Sequence, residues 1–140
     1  MRWVRFFHEV GLADVPLVGG KNASLGEMIR ALSPLGVRVP GGFATTSEAY
    51  RYFLEANRLV EAMAQELQGL NGEDPKALQA ASRRLRNLIL KGEYPEDLRE
   101  EILLAYRRLS EEAGEEALPV AVRSSATAED LPTASFADQQ

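Results

Sequence analysis

Cysteine is absent from the 140 residues, and histidine occurs once, as His8. No disulfide framework or thiolate metal site can therefore be built, and the usual multi-histidine zinc site is excluded as well. Long hydrophobic runs are missing too. The opening, Met1 to His8, holds only a short apolar stretch with no small-residue cleavage pattern, and nowhere does an apolar run reach the ~18 residues of a membrane-crossing helix. Neither a secretory signal nor a membrane span is expected, and a cytoplasmic location is the default. Positive charge is also in short supply. The net charge is −5, and lysine and arginine form no block. Nucleic acid and anionic membranes are thus unexpected partners.

What remains is an ordinary soluble composition, 45% hydrophobic and 26% charged, on a chain long enough for one domain and short for two. Trp3 to Phe7 is aromatic and β-branched and reads as a strand. After a loop with Gly11, Pro16, Gly19 and Gly20, the residues Leu25, Met28, Ile29 and Leu32 share one helical face, ended by Pro34 and Gly36. Val37 to Val39 reads as a second strand, and extended structure resumes at Phe43 to Thr45. Thr45 to Glu48 has the form of a capping box for a helix whose stripe runs from Ala49 through Phe53, Ala56, Val60, Met63 and Leu67, with a break near Asn57. Asp74-Pro75 is an N-cap followed by proline at the first helical position. The next stripe, Leu78 to Leu88, is stopped by Gly92. A last helix opens at Pro95, carries Leu98, Ile102, Ala105, Tyr106 and Leu109 inward, and closes at Gly114. Val120 to Val122 is a third strand candidate. The order predicts an α+β fold, a small sheet with a helical insertion over about 45–114.

Two stretches can carry chemistry. In Val18 to Leu25, two glycines precede a helix start and Lys21 stands at the junction. The first N–H groups of a helix lack internal partners and carry partial positive charge, so phosphate is a natural ligand. The loop is not of the Walker type, which needs glycine where Val15 stands and a hydroxyl where Asn22 stands. A plain glycine turn ahead of a helix, with Lys21 merely exposed, fits the same residues. In the second stretch, Arg123 follows an apolar run, and a guanidinium reads phosphate through two parallel hydrogen bonds. Ser124, Ser125 and Thr127 add hydroxyls, and Glu129 and Asp130 are candidates for metal binding or helix capping. A hydroxyl-rich surface loop with a salt-bridged arginine is the plainer alternative. His8 carries no expected role.

Taken together, Gly19 to Met28, Val39 to Thr46, Val122 to Pro132 and Ala134 to Ala137 resemble the N-terminal ATP-grasp region of the PEP-utilising dikinases, the phosphoenolpyruvate synthase (pyruvate, water dikinase) branch above all. The resemblance runs the length of the chain. It implies the first subdomain of an ATP-grasp nucleotide-binding domain, a single partial domain over 1–140. The parent enzyme would convert ATP, pyruvate and water to phosphoenolpyruvate, AMP and phosphate through a phosphohistidine. It further implies that Lys21 and Arg123 act on the ATP phosphates, with Gly19, Gly20, Ser124, Ser125 and Thr127 binding alongside them. Mg2+ ligands, the adenine contacts, the phosphohistidine and the pyruvate site would lie downstream of this fragment, which alone would be inactive. The remainder of the enzyme is then the partner, with a homodimer as a further expectation. One departure stands out. The family pattern has glycine where this chain has Asp138, which brings a side chain and a negative charge toward a polyphosphate site. The alternatives are the front end of a rifamycin phosphotransferase-like dikinase and a non-catalytic nucleotide-binding module.

Overall fold

The structure, a computed structural model, describes residues 1–127. Glu129, Asp130, Asp138 and the rest of the expected loop to Pro132 lie outside the described residues. The chain divides into two compact units, one formed by residues 1–49 with those from Asp97 onward, the other by Tyr50–Glu96.

The first unit is built on an antiparallel pair, β1 (Val4–Phe6) and β2 (Phe43–Thr45), with Val4 opposite Thr45 and Phe6 opposite Phe43. Alternation along β1 buries Val4 and Phe6, which pack with Ala105, Phe43 and Ile102. Ala105 and Ile102 belong to the last described helix, so part of the helical stretch expected over 45–114 is core to the sheet. Between the strands run two 3₁₀ turns, then α1 (Val15–Val18), α2 (Gly20–Leu32) and a third 3₁₀ turn (Ser33–Leu35). A second cluster gathers Val10, Val18, Ala23 and Ala44, flanked by Phe7, Val15 and Leu17.

The expected stripe of α2 is only half-buried at Leu25, Ile29 and Leu32, and the most buried positions belong to small residues. Met28 is 46% exposed, while Gly20, Ala23 and Gly26 are buried. These small residues let the helix approach the turn after β1 closely. A Cβ at Gly26 would stand 2.0 Å from the Val10 carbonyl oxygen and 2.7 Å from that of Phe7. Glu27 ties the same surface, its carboxylate accepting a hydrogen bond from the Leu12 N–H at 2.9 Å.

The other expected strands are absent from their places. Val37 to Val39 has no strand pairing, because the Val37 N–H turns back to the Leu32 carbonyl at 3.2 Å and Gly36 adopts φ +80°. That is a helix-terminating arrangement, and it uses the donor that a ladder would need. Val120 to Val122 is likewise unpaired, with Val122 91% exposed. β-branched residues favour strands when a pleated surface is there to receive them, and among the described residues none is offered here.

The second unit is helical. The helix α3 (Ser47–Ala56) starts in the first unit, where Thr46, not Thr45, supplies the cap: its Oγ1 accepts from the Ala49 N–H at 3.1 Å. It ends at the expected break, with Arg58 in the left-handed region at φ 55°. Asn57 clasps Glu93 there, donating to its carbonyl at 2.9 Å and accepting from its N–H at 2.8 Å. Next come α4 (Leu59–Leu67) and α5 (Pro75–Lys91), which pack together, and Glu66 pairs with Arg84 between them. As expected, Asp74 caps α5, accepting from Lys76 and Ala77 at 3.1 and 3.3 Å. The last helix, α6 (Glu96–Glu112), returns to the first unit from Asp97 on.

Candidate functional site

The junction of α1 and α2 is where the sequence places its glycine pair. Gly19 adopts φ +84°, ψ 162°, a conformation open to glycine and strained for other residues. This turn lets α1 close on the Val15 carbonyl, which accepts the Gly19 N–H at 2.8 Å, and lets α2 begin at once. The Asn22 amide donates to the Val18 carbonyl at 2.8 Å and locks the corner. The N-cap residue Gly19 has no side chain with which to cap the start of α2. The helix's first N–H groups therefore carry the partial positive charge of a helix N-terminus, and Lys21 is exposed on that first turn.

The second expected segment meets this corner. A Cβ placed on Gly19 would lie 2.1 Å from the Ser125 hydroxyl oxygen, 3.0 Å from the Ser125 Cβ and 3.1 Å from the Ala126 carbonyl oxygen. The chain around Ser125 thus rests on the bare Cα of Gly19. Arg123, Ser124 and Thr127 are exposed beside it, whereas the Ser125 hydroxyl oxygen is buried and, among the described residues, has no hydrogen-bond partner. The structure brings Gly19, Ser125 and Ala126 to one place. Lys21 stands two residues from Gly19, and Arg123 two from Ser125.

Sequence reasoning missed a further element. Tyr106 and Ser110, one turn apart on α6, hold both backbone groups of Leu118. The Tyr106 hydroxyl donates to its carbonyl at 2.6 Å, and the Ser110 Oγ accepts its N–H at 3.2 Å. The available signal was Ser110 itself, a small polar residue in register with the buried face of α6. His8 is exposed and stacks on the Phe6 ring at 5.8 Å. Among the described residues no three histidine, cysteine or acidic side chains converge as a metal site. Nor is any described helix long and apolar enough to cross a membrane.

The small antiparallel sheet and the helices packed on it define a class, the α+β domains. The particular family follows from comparison: residues 15–140 match the pyruvate phosphate dikinase, AMP/ATP-binding domain, and the chain belongs to that family. It is similar to the phosphoenolpyruvate synthase of Aquifex aeolicus (54% identical over 98% of this chain). Similar relatives of that name occur in Helicobacter pylori (49% over 100%) and Neisseria meningitidis (52% over 99%). The chain spans only 16–17% of the length of these relatives.

Proposed function

We propose that this chain is the nucleotide-binding front end of a phosphoenolpyruvate synthase, the first subdomain of an ATP-grasp domain. In this reading the complete enzyme uses ATP and water to phosphorylate pyruvate. Lys21 and Arg123 supply full charges to the ATP phosphates, the Gly19-Gly20 corner offers backbone N–H groups, and Ser124 and Thr127 add hydroxyls. Charge grows on the leaving oxygens as a phosphoryl group departs, and cations fixed beside a helix N-terminus stabilise it. The observation that carries the reading is the contact of Ser125 with Gly19, which draws the two motif segments together although about a hundred residues separate them. Identity with phosphoenolpyruvate synthases over the whole chain supports it independently.

The test is calorimetric titration with Mg-ATP. In a protein of the relatives' length that carries this sequence, Lys21→Ala and Arg123→Ala should each weaken binding by about ten- to hundredfold, the worth of a charge-assisted hydrogen bond. Unchanged affinity in both variants would overturn the proposal. The 140-residue chain by itself should bind Mg-ATP weakly or not detectably. A micromolar dissociation constant abolished by Lys21→Ala would show that these residues complete the site unaided.

A further inference from the structure

The span from Leu118 to Ser125 is held at both ends and forms no regular secondary structure itself. At one end, Tyr106 and Ser110 grip both backbone groups of Leu118. At the other, Ser125 sits on Gly19. Between these anchors Val120, Val122 and Arg123 are exposed, so few contacts of their own fix where they stand. The Ser125 hydroxyl oxygen is turned into the contact, buried and without a partner among the described residues. A hydroxyl in that position serves as bulk.

We infer that Ser125 is a positioning residue. Seated on the bare Cα of Gly19, and with Leu118 clamped behind it, it sets where the Arg123 guanidinium stands relative to the start of α2, and it does not itself contact nucleotide. The inference rests on the ATP reading above. Two residues of chain join Ser125 to Arg123 and Gly19 to Lys21, so each cation is tied to the seat by at most about 7 Å of backbone. Lifting the seat moves one cation against the other, and a misplacement of about 1 Å is enough to cost a hundredfold in a positioned site. This also accounts for glycine at position 19 on two separate grounds, its positive φ and the space its missing side chain leaves for Ser125.

The experiment measures Mg-ATP dissociation constants, again in a protein of the relatives' length carrying this sequence. Ser125→Leu, too large for the seat, should raise the constant at least tenfold. Ser125→Ala keeps the Cβ on Gly19 and deletes only the hydroxyl, and should stay within twofold. Gly19→Ala should match Ser125→Leu, and adding Ser125→Gly should recover at least threefold by vacating the space the new Cβ needs. Ser125 lies outside regular structure, so Ser125→Leu remains informative should Gly19→Ala fail to fold. Equal losses in Ser125→Ala and Ser125→Leu would make the hydroxyl a phosphate ligand and overturn the inference. Affinity unchanged in Ser125→Leu while Lys21→Ala and Arg123→Ala weaken binding would overturn it and leave the ATP reading standing. Amide exchange provides a readout without nucleotide. Ser125→Leu should accelerate exchange across residues 120–127 in the 140-residue chain, and unchanged exchange there would also count against the seat.

Discussion

The two segments expected to meet phosphate are built in opposite ways. In Gly19 to Met28 most side chains serve packing: Gly19 makes the turn, Asn22 bonds the preceding helix, Ala23 and Gly26 are buried, and Glu27 holds the Leu12 N–H. Lys21, Ser24 and Met28 are the exposed residues. In Val120 to Thr127 the balance is reversed. Its side chains are largely exposed, and its backbone is located by the Leu118 clamp and the Ser125 seat. Substitutions in the first segment should therefore act mainly on stability, and those in the second mainly on ligand binding.

Gly26 is where the first half of this contrast can be broken. Gly26→Val would force a branched side chain into the carbonyls of Val10 and Phe7, which are backbone atoms and cannot swing aside. We expect a loss of about 3 kcal/mol, the upper part of the overpacking range. Urea unfolding followed by the fluorescence of Trp3, the only tryptophan and a buried residue of the same unit, measures it. Gly26→Ala is the sharper variant. In an open helix it would stabilise by about 1 kcal/mol, so a neutral or stabilising result would mean that α2 does not need its close approach.

Next in size is the cap of α3. Thr46 is 1% exposed and its hydroxyl accepts the Ala49 N–H. Thr46→Ala should cost about 1–2 kcal/mol, whereas Thr45→Ala, at an exposed strand end, should cost less than about 0.5 kcal/mol. The reverse order in the same unfolding measurement would restore the capping box read from the sequence. A smaller effect is expected from Glu27→Ala, about 1 kcal/mol, since the Leu12 N–H that loses its acceptor is exposed enough for water to replace it.

Local chemistry was legible and close approach was not. Asp74-Pro75, the break at Asn57 and the β1 run could be read because each depends on a residue's own conformational preference. The shift of the cap from Thr45 to Thr46 reflects two adjacent hydroxyls of equal capping ability, which only the register of β2 tells apart. The stripe on α2 was read only in part: Leu25, Ile29 and Leu32 are half-buried, but periodicity weighs large apolar residues, and the fully buried ones here are small. A glycine inside a helical pattern was the available clue, since it costs stability unless packing needs it. The strands at Val37 and Val120 failed for the reason that propensity specifies a suitable surface and cannot supply the neighbouring strand. For the site, the sequence pointed to both segments. Their meeting point, a glycine with no side chain under a serine, depends on tertiary contact alone.

The smallest expected effect tests the second half of the contrast. Val122 looks like core in the sequence and is almost wholly exposed in the structure. Val122→Ala in the 140-residue chain should change unfolding stability by less than about 0.5 kcal/mol, as for other surface substitutions. A buried valine would lose more, because removing methyl groups from a packed site adds a cavity to the lost burial. The same substitution in a protein of the relatives' length asks a different question. If a surface outside this chain covers Val122 there, the loss should rise above 1 kcal/mol, and the difference between the two measurements would belong to that cover. An equally small effect in both proteins would mean that the Leu118 clamp and the Ser125 seat are enough to hold Arg123 in place.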